Sequence, residues 1–324
     1  MIRARLRKSK NKYFITGGAG FIGSHLVDKL LADGHSVVTI DNFDDFYLRE
    51  IKIQNISQAT TNSNFELIEG DIRDGELLDK IFSENEFDVV VHLAAKAGVR
   101  PSIANSAEYY DVNISGTVSL LEAMKRHNLK NLIFASSSSI YGNSDHIPFS
   151  ESDFVGFPIS PYAATKKSGE LICHTYHHLH NFKINCLRFF TVYGPRQRPD
   201  LAISKFSRLI DKGEKIPVFG NGASKRDYTY IDDIIHGILL AIENLRGFEI
   251  INLGESRTIK LIDLIKLIES EIGKEAILDY LPSQPGDVEQ TYADISKAKE
   301  LLNYNPTFEI EEGIKNFVKW MKET

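Results

Sequence analysis

The sequence has little that would put it in a membrane, in an oxidising compartment or on a polyanion. No run of about 18 or more apolar residues occurs, so no transmembrane helix is expected. There are only two cysteines, Cys173 in a helical pattern and Cys186 in a strand-like run, read as reduced, buried thiols of a cytoplasmic protein. The formal charge is -6, with no broad basic excess, which argues against a general nucleic-acid binder. The basic start, MIRARLRKSKNK, lacks an apolar core and a small-residue cleavage pattern, and is read as a tail rather than a signal peptide. Low-complexity tracts and internal repeats are also absent. What remains is a globular composition, 42% hydrophobic and 25% charged over 324 residues, long enough for two domains or one large α/β unit with an appended lobe.

After the tail, KYFIT is a short apolar strand and GGAGFIG follows at once, opening into a helix with Leu26, Leu30 and Leu31 on one face and Gly34 as its stop. SVVTIDNF then reads as a second strand with Asp41 and Asn42 at its end. This order gives the glycines a specific task. Gly17 and Gly20 allow a tight turn and close approach to a pyrophosphate, Gly23 lets the helix pack on the strand, and Phe21 and Ile22 open the helix whose N–H groups face the anion. Asp41 is placed to bind ribose hydroxyls and to repel a 2'-phosphate, so NAD is expected rather than NADP.

Further strands alternate with helices. FELIEGDIRD ends in Asp71 and Ile72, a polar and an aliphatic residue suited to flank an adenine, and DVVVHLAAKAG is a buried strand closing on Leu93, Ala94, Ala95 and Lys96. A long helix is expected over 106–127, then NLIFASSSSIYG, a strand ending in four serines whose hydroxyls are costly to bury unless hydrogen-bonded or used. SPYAATKK begins the next helix, expected to run to about His180, with Tyr162 and Lys166 four residues apart on one face. A cation there would stabilise a phenolate, although an isolated YxxxK is more often an ordinary solvated helix face. INCLRFFTVYG follows as a strand ending near Thr191. The alternation predicts a doubly wound parallel α/β sheet. After it come IDDIIHGILLAIEN and EIINLG, which return to the sheet, and a smaller lobe with helices at 261–272, 296–302 and 311–322. His174, His177, His178 and His180 have no convincing partners for zinc, and no metal is expected.

TGGAGFIGSH, HLAA, SSSSIYG, YxxxK and RDYTYIDD, in this order, resemble the extended short-chain dehydrogenase/reductase family and its nucleotide-sugar 4-epimerase branch, over roughly residues 12–320. More narrowly, AAKAGVRPSI, FASSSSIYG, YAATKK, RFFTVYGPRQRPD and PGDV look like UDP-glucuronate 4-epimerases. The resemblance implies a Rossmann-type NAD-binding domain over 12–190 and 231–256, and a nucleotide-sugar-binding domain over 191–230 and 257–324. It implies Tyr162 as acid/base, Lys166 as its cationic partner and NAD ribose ligand, and Ser137 as the catalytic hydroxyl, with Ser139 within reach of the sugar. Asn113 would lie near the cofactor, Arg226 on the diphosphate and Asp287 near the uridine ribose, and a homodimer would form through 106–127 and 162–180.

Thr191 and Gln284 depart from the UDP-galactose branch, which carries Asn and Arg there, and fit the glucuronate branch. Dehydratases and decarboxylases of the family commonly carry an acid at the position of Ser139, and dehydratases another at Ser138. The resemblance therefore implies NAD-dependent 4-epimerisation of UDP-glucuronate to UDP-galacturonate through a 4-keto sugar. A UDP-glucose 4-epimerase, a uronate decarboxylase and a non-catalytic NAD sensor remain as alternatives. A 4-keto uronate loses CO2 when its carboxylate aligns with the carbonyl π-system, so a planar guanidinium must hold that group aside, with Arg198 the first candidate and Arg196 the second.

Overall fold

The computed structural model describes residues 10–282 and 288–324, so the basic N-terminal segment, Gln284 and Asp287 lie outside the described residues. The first half alternates strand and helix: β1 Lys12–Thr16, α1 Phe21–Ala32, β2 Ser36–Asp41, α2 Arg49–Asn55, β3 Phe65–Glu69, α3 Gly75–Glu84 and β4 Val89–His92. Then come α4 Val99–Ala104, α5 Ser106–Tyr110, α6 Gly116–Arg126, β5 Asn131–Ser137, α7 Pro161–His180, β6 Lys183–Phe189 and β7 Thr191–Tyr193. The remainder is α8 Ala202–Lys212, β8 Lys215–Phe219, β9 Lys225–Arg226, β10 Tyr228–Tyr230, α9 Ile231–Glu243, β11 Phe248–Leu253, β12 Ile259–Lys260, α10 Leu261–Ile272, β13 Ile277–Leu281, α11 Ser296–Leu302 and α12 Ile310–Glu323.

Seven strands form one parallel sheet in the order β3-β2-β1-β4-β5-β6-β11. The period-2 alternation of strand side chains explains its two covered faces. Tyr13 and Ile15 of β1 pack with Leu26, Leu30 and Ile234 from α1 and α9, whereas Phe14 packs with Leu78, Leu120 and Cys173 from α3, α6 and α7. Both cysteines are free and buried in that second layer. The order reverses between β1 and β4, and the carboxyl ends of those strands open on the crevice where doubly wound sheets bind ligands. Three two-stranded sheets, β7 with β10, β9 with β12 and β8 with β13, lie in the second half.

Two expected elements differ in detail. The helix expected over 106–127 is divided by a π-helical turn at Asp111–Ser115, where Asn113 turns inward to bond the β4–α4 loop. The strand expected to end near Thr191 stops at Phe189, and Thr191–Tyr193 pairs instead with β10 outside the main sheet.

Helix α7 has strong end signals. Ser160 accepts from the Ala163 N–H at 3.1 Å, Pro161 occupies the first turn, and Asn181 closes the helix in the left-handed region at φ 57°. These fix Tyr162 in the first turn, where it lines the crevice. Among the described residues, no helix is long and apolar enough to cross a membrane.

Candidate active site

A cavity of about 590 Å³ runs along the carboxyl ends of the strands and into the second half of the chain. At one end the glycine turn leads into α1. Gly17 has φ +75°, and a Cβ at Gly23 would stand 2.2 Å from the Gly17 carbonyl oxygen, so neither position accepts a side chain without rebuilding the turn. Gly17, Gly20, Phe21, Ile22 and Gly23 line the cavity, and the first-turn N–H groups of α1 open towards it. This cradle fits a dinucleotide pyrophosphate.

Asp41 and Asn42 line the cavity past the end of β2. The Asp41 carboxylate accepts from Ala19 N at 3.1 Å and from Phe43 N at 2.9 Å, which aims it without using all its lone pairs. Burial raises its pKa, and the Phe43 N–H and Lys52 oppose the rise. Asp71 and Ile72, past the end of the neighbouring strand β3, also line it. A bond from the Arg73 guanidinium holds the Asp71 carboxyl at about 2, and Asn42 Nδ2 also donates to it, at 3.0 Å.

Leu93, Ala94, Ala95 and Lys96 line the floor. Lys96 Nζ bridges Asp44 at 2.9 Å and Glu108 at 2.8 Å, joining the β2–α2 loop to α5. Asn113 does not line the cavity. Its carboxamide accepts from Lys96 N at 2.8 Å and donates to Lys96 O at 3.0 Å and Thr165 Oγ1 at 2.9 Å, so it braces the floor from behind.

Ser137, Ser139, Tyr162 and Lys166 converge in the middle of the cavity. Lys166 is buried, with Nζ donating to the Ala135 carbonyl at 2.7 Å and lying 6.0 Å from the Tyr162 ring centroid. Burial lowers the ammonium to about 8. Burial holds the Tyr162 phenol above its ordinary value, and a hydrogen bond with Ser137 and the positive charge of Arg198 oppose the rise. Ser139 Oγ is buried without a protein partner among the described residues.

The far wall carries Thr191, Arg198 and Arg226. Arg198 donates from Nε and Nη2 to the two oxygens of Asp200 at 2.9 and 2.8 Å and lies over Phe46, 5.2 Å from its centroid. Arg196, the second candidate, does not line the cavity; its Nη1 pairs with Asp28 of α1 at 2.7 Å. Arg226 donates from Nη1 to Lys225 O at 2.8 Å. The cavity also includes residues not singled out in the sequence, among them Phe46, Tyr47, Arg100 and Asp200. An aromatic pair shortly after the acid of β2 was the available signal for the first two. The histidines of α7 serve packing in part: His174 and His177 both lie against Phe248, and His177 Nδ1 is 2.6 Å from the Phe182 carbonyl.

A seven-stranded doubly wound sheet, with a glycine cradle at its switch point and a serine, a tyrosine and a buried lysine beside it, is the arrangement of a dinucleotide-dependent enzyme that moves protons and hydrides at a carbinol carbon. The chain belongs to the extended short-chain dehydrogenase/reductase family of NAD-dependent epimerases and dehydratases, since residues 14–317 match the family model described as GDP-mannose 4,6 dehydratase. It is 45% identical over 312 residues to a UDP-glucuronate 4-epimerase of Thermodesulfobacterium geofontis, covering 96% of each chain. It is also similar to the crystal structure of UDP-glucuronic acid 4-epimerase from Bacillus cereus in complex with UDP-glucuronic acid and NAD. That likeness has a TM-score of 0.91 at 41% identity and covers 96% of this chain and 99% of the other. A UDP-glucose 4-epimerase from Thermotoga maritima, solved with UDP-glucose, matches with a TM-score of 0.88 at 35% identity, covering 96% and 99%.

Proposed function

We propose that the protein is an NAD-dependent UDP-glucuronate 4-epimerase, interconverting UDP-glucuronate and UDP-galacturonate. The observation that carries this reading is the position of Arg198, a half-buried guanidinium that lines the same cavity as Ser137 and Tyr162. Several relatives named UDP-glucuronate 4-epimerase, matched over 96% or more of this chain, support it.

The glycine turn holds the NAD pyrophosphate, Asp41 its adenosine ribose, and Asp71 and Ile72 flank the adenine. When bound, NAD+ accepts the hydride from C4 of the sugar and gives it back to the other face of the 4-keto ring. Tyr162, as the phenolate that the positive charges of Lys166 and Arg198 favour, takes the proton from the 4-hydroxyl and later returns it, while Ser137 hydrogen-bonds the same oxygen and orients it. Lys166 binds the nicotinamide ribose and places positive charge below the phenol ring. Arg198 grips the C6 carboxylate and keeps its bond to C5 away from the carbonyl π-system, which suppresses loss of CO2. Ser139 offers a hydroxyl to the sugar where a carboxylate would promote proton transfer at C5. Thr191 borders the sugar, and Arg226 and Asp287 serve the UDP portion. Residues 12–190 and 231–256 form the cofactor domain and 191–230 with 257–324 the sugar-nucleotide domain. The chain dimerises through the helices within 106–127 and 162–180, where Tyr110, Leu171 and Leu179 are exposed.

The test is chromatography of the products made from UDP-glucuronate. UDP-galacturonate is expected; a UDP-pentose, or no product beside a turnover of UDP-glucose, overturns the reading.

A further inference from the structure

Arg198 carries five N–H donors, and the protein takes only one edge of them. Nε and Nη2 go to the two oxygens of Asp200, and Nη1 has no protein partner among the described residues. The end-on edge, formed by Nη1 and the second hydrogen of Nη2, is therefore left for another carboxylate.

The backbone of this segment is held independently. Arg196 sits in the left-handed region at φ +64° with its side chain on Asp28. Gln197 is buried, donates from Nε2 to the Val192 carbonyl at 2.9 Å and accepts from Ser204 N at 3.1 Å through Oε1. These contacts set where the Arg198 Cα lies. They leave open which edge of a long, rotatable side chain faces inward. Asp200 and the ring of Phe46 settle that: one closes the side-on edge and the other supports the flat face.

We propose that Asp200 is a specificity-positioning residue, which grips the side-on edge of Arg198 and thereby turns the end-on edge towards the carboxylate of a hexuronic acid. The proposal rests on the reading of Arg198 as the ligand of that carboxylate. Asp200 also repels the incoming anion, and two observations decide which influence prevails. Its side chain is 39% exposed, so water screens the repulsion, whereas the geometry it confers governs a two-pronged, charge-assisted contact. Orientation dominates.

Calorimetric titration of the NAD-loaded protein with UDP-glucuronate and with UDP-glucose tests this. In Asp200→Asn, which keeps the side-chain shape but cannot accept both donors, the preference for UDP-glucuronate should fall about tenfold, the size of one lost charge-assisted contact. UDP-glucose should bind within about twofold of wild type, which also shows that the variant is folded. Asp200→Glu, which keeps the carboxylate, should recover part of the preference. Parallel weakening of both ligands, or tighter binding of UDP-glucuronate to Asp200→Asn, overturns the proposal. Arg198→Met separates the two levels. If that variant keeps the wild-type preference, the carboxylate reading of Arg198 itself is wrong; if it loses the preference while Asp200→Asn keeps it, only the role of Asp200 falls.

Discussion

Glu170 receives two nitrogens of the buried Arg188 guanidinium, at 2.8 Å and 2.9 Å, one helical turn beyond Lys166. The same carboxylate accepts from Ser136 Oγ at 2.7 Å, and Arg188 Nη1 donates to the Tyr141 hydroxyl at 2.8 Å. Both ends of the serine segment that holds Ser137 and Ser139 are thus tied to one ion pair. Removing one partner strands a buried charge, so Arg188→Met should lose about 3–5 kcal/mol of stability in chemical denaturation. A loss below about 1 kcal/mol would mean that the pair is relieved by water and does not brace the turn.

Tyr162→Phe should lower kcat for UDP-glucuronate about 10²–10⁴-fold, the usual range for a lost general acid/base, with NAD still bound. The comparison needs kcat from product chromatography and the nucleotide content of the purified variant. Turnover near wild type would move the acid/base role elsewhere.

Lys166 makes stability depend on pH in a direction that follows from its depressed value. Its folded-state pKa is about 8 against an ordinary 10.5, so between these values the unfolded chain binds more protons. Stability from this group therefore rises as the pH is raised through that window, and the cost of burying the charge is fully present below it. Relative to Lys166→Met, the nucleotide-free wild type should gain on the order of 3 kcal/mol across the window. Denaturation of both proteins at a series of pH values measures the difference, and parallel curves would refute the assignment.

Arg198→Met should raise KM for UDP-glucuronate about 10–100-fold, the loss of a charge-assisted pair, and let a UDP-pentose accumulate among the products. Unchanged KM with no pentose would remove Arg198 from the sugar site.

Asp41→Ala should weaken NAD binding about tenfold and narrow the discrimination against NADP, measured by fluorescence titration with both nucleotides. Equal losses for both would mean that Asp41 acts only by holding Ala19 and Phe43.

Much of this was legible from local pattern. The β1–glycine–α1 unit is contiguous, so its spacing alone implied the cradle, and the caps of α7 fixed the positions of Tyr162 and Lys166 on one helix. The partners of those side chains were not legible, because they depend on residues far away in sequence. Lys166 stands beside the Tyr162 ring as the i, i+4 spacing suggested, but the Ala135 carbonyl that receives its ammonium and the Arg198 guanidinium in the same cavity come from distant parts of the chain. Asn113 was expected near the cofactor; the π-helical turn that sets it against the Lys96 backbone had no sequence signal. Asp200 stood in plain view beside Arg198, without a periodic or motif signal to connect it to the cavity.

The last strand of the main sheet arrives late. β11 lies outside β6, and Asn252 on it accepts from the Tyr141 hydroxyl at 2.7 Å, more than a hundred residues earlier in the chain. During synthesis the β6 edge therefore stays open until residue 253 has been made, so a chain cut short of β11 is left with an unpaired sheet edge and is a poor stopping point for truncation.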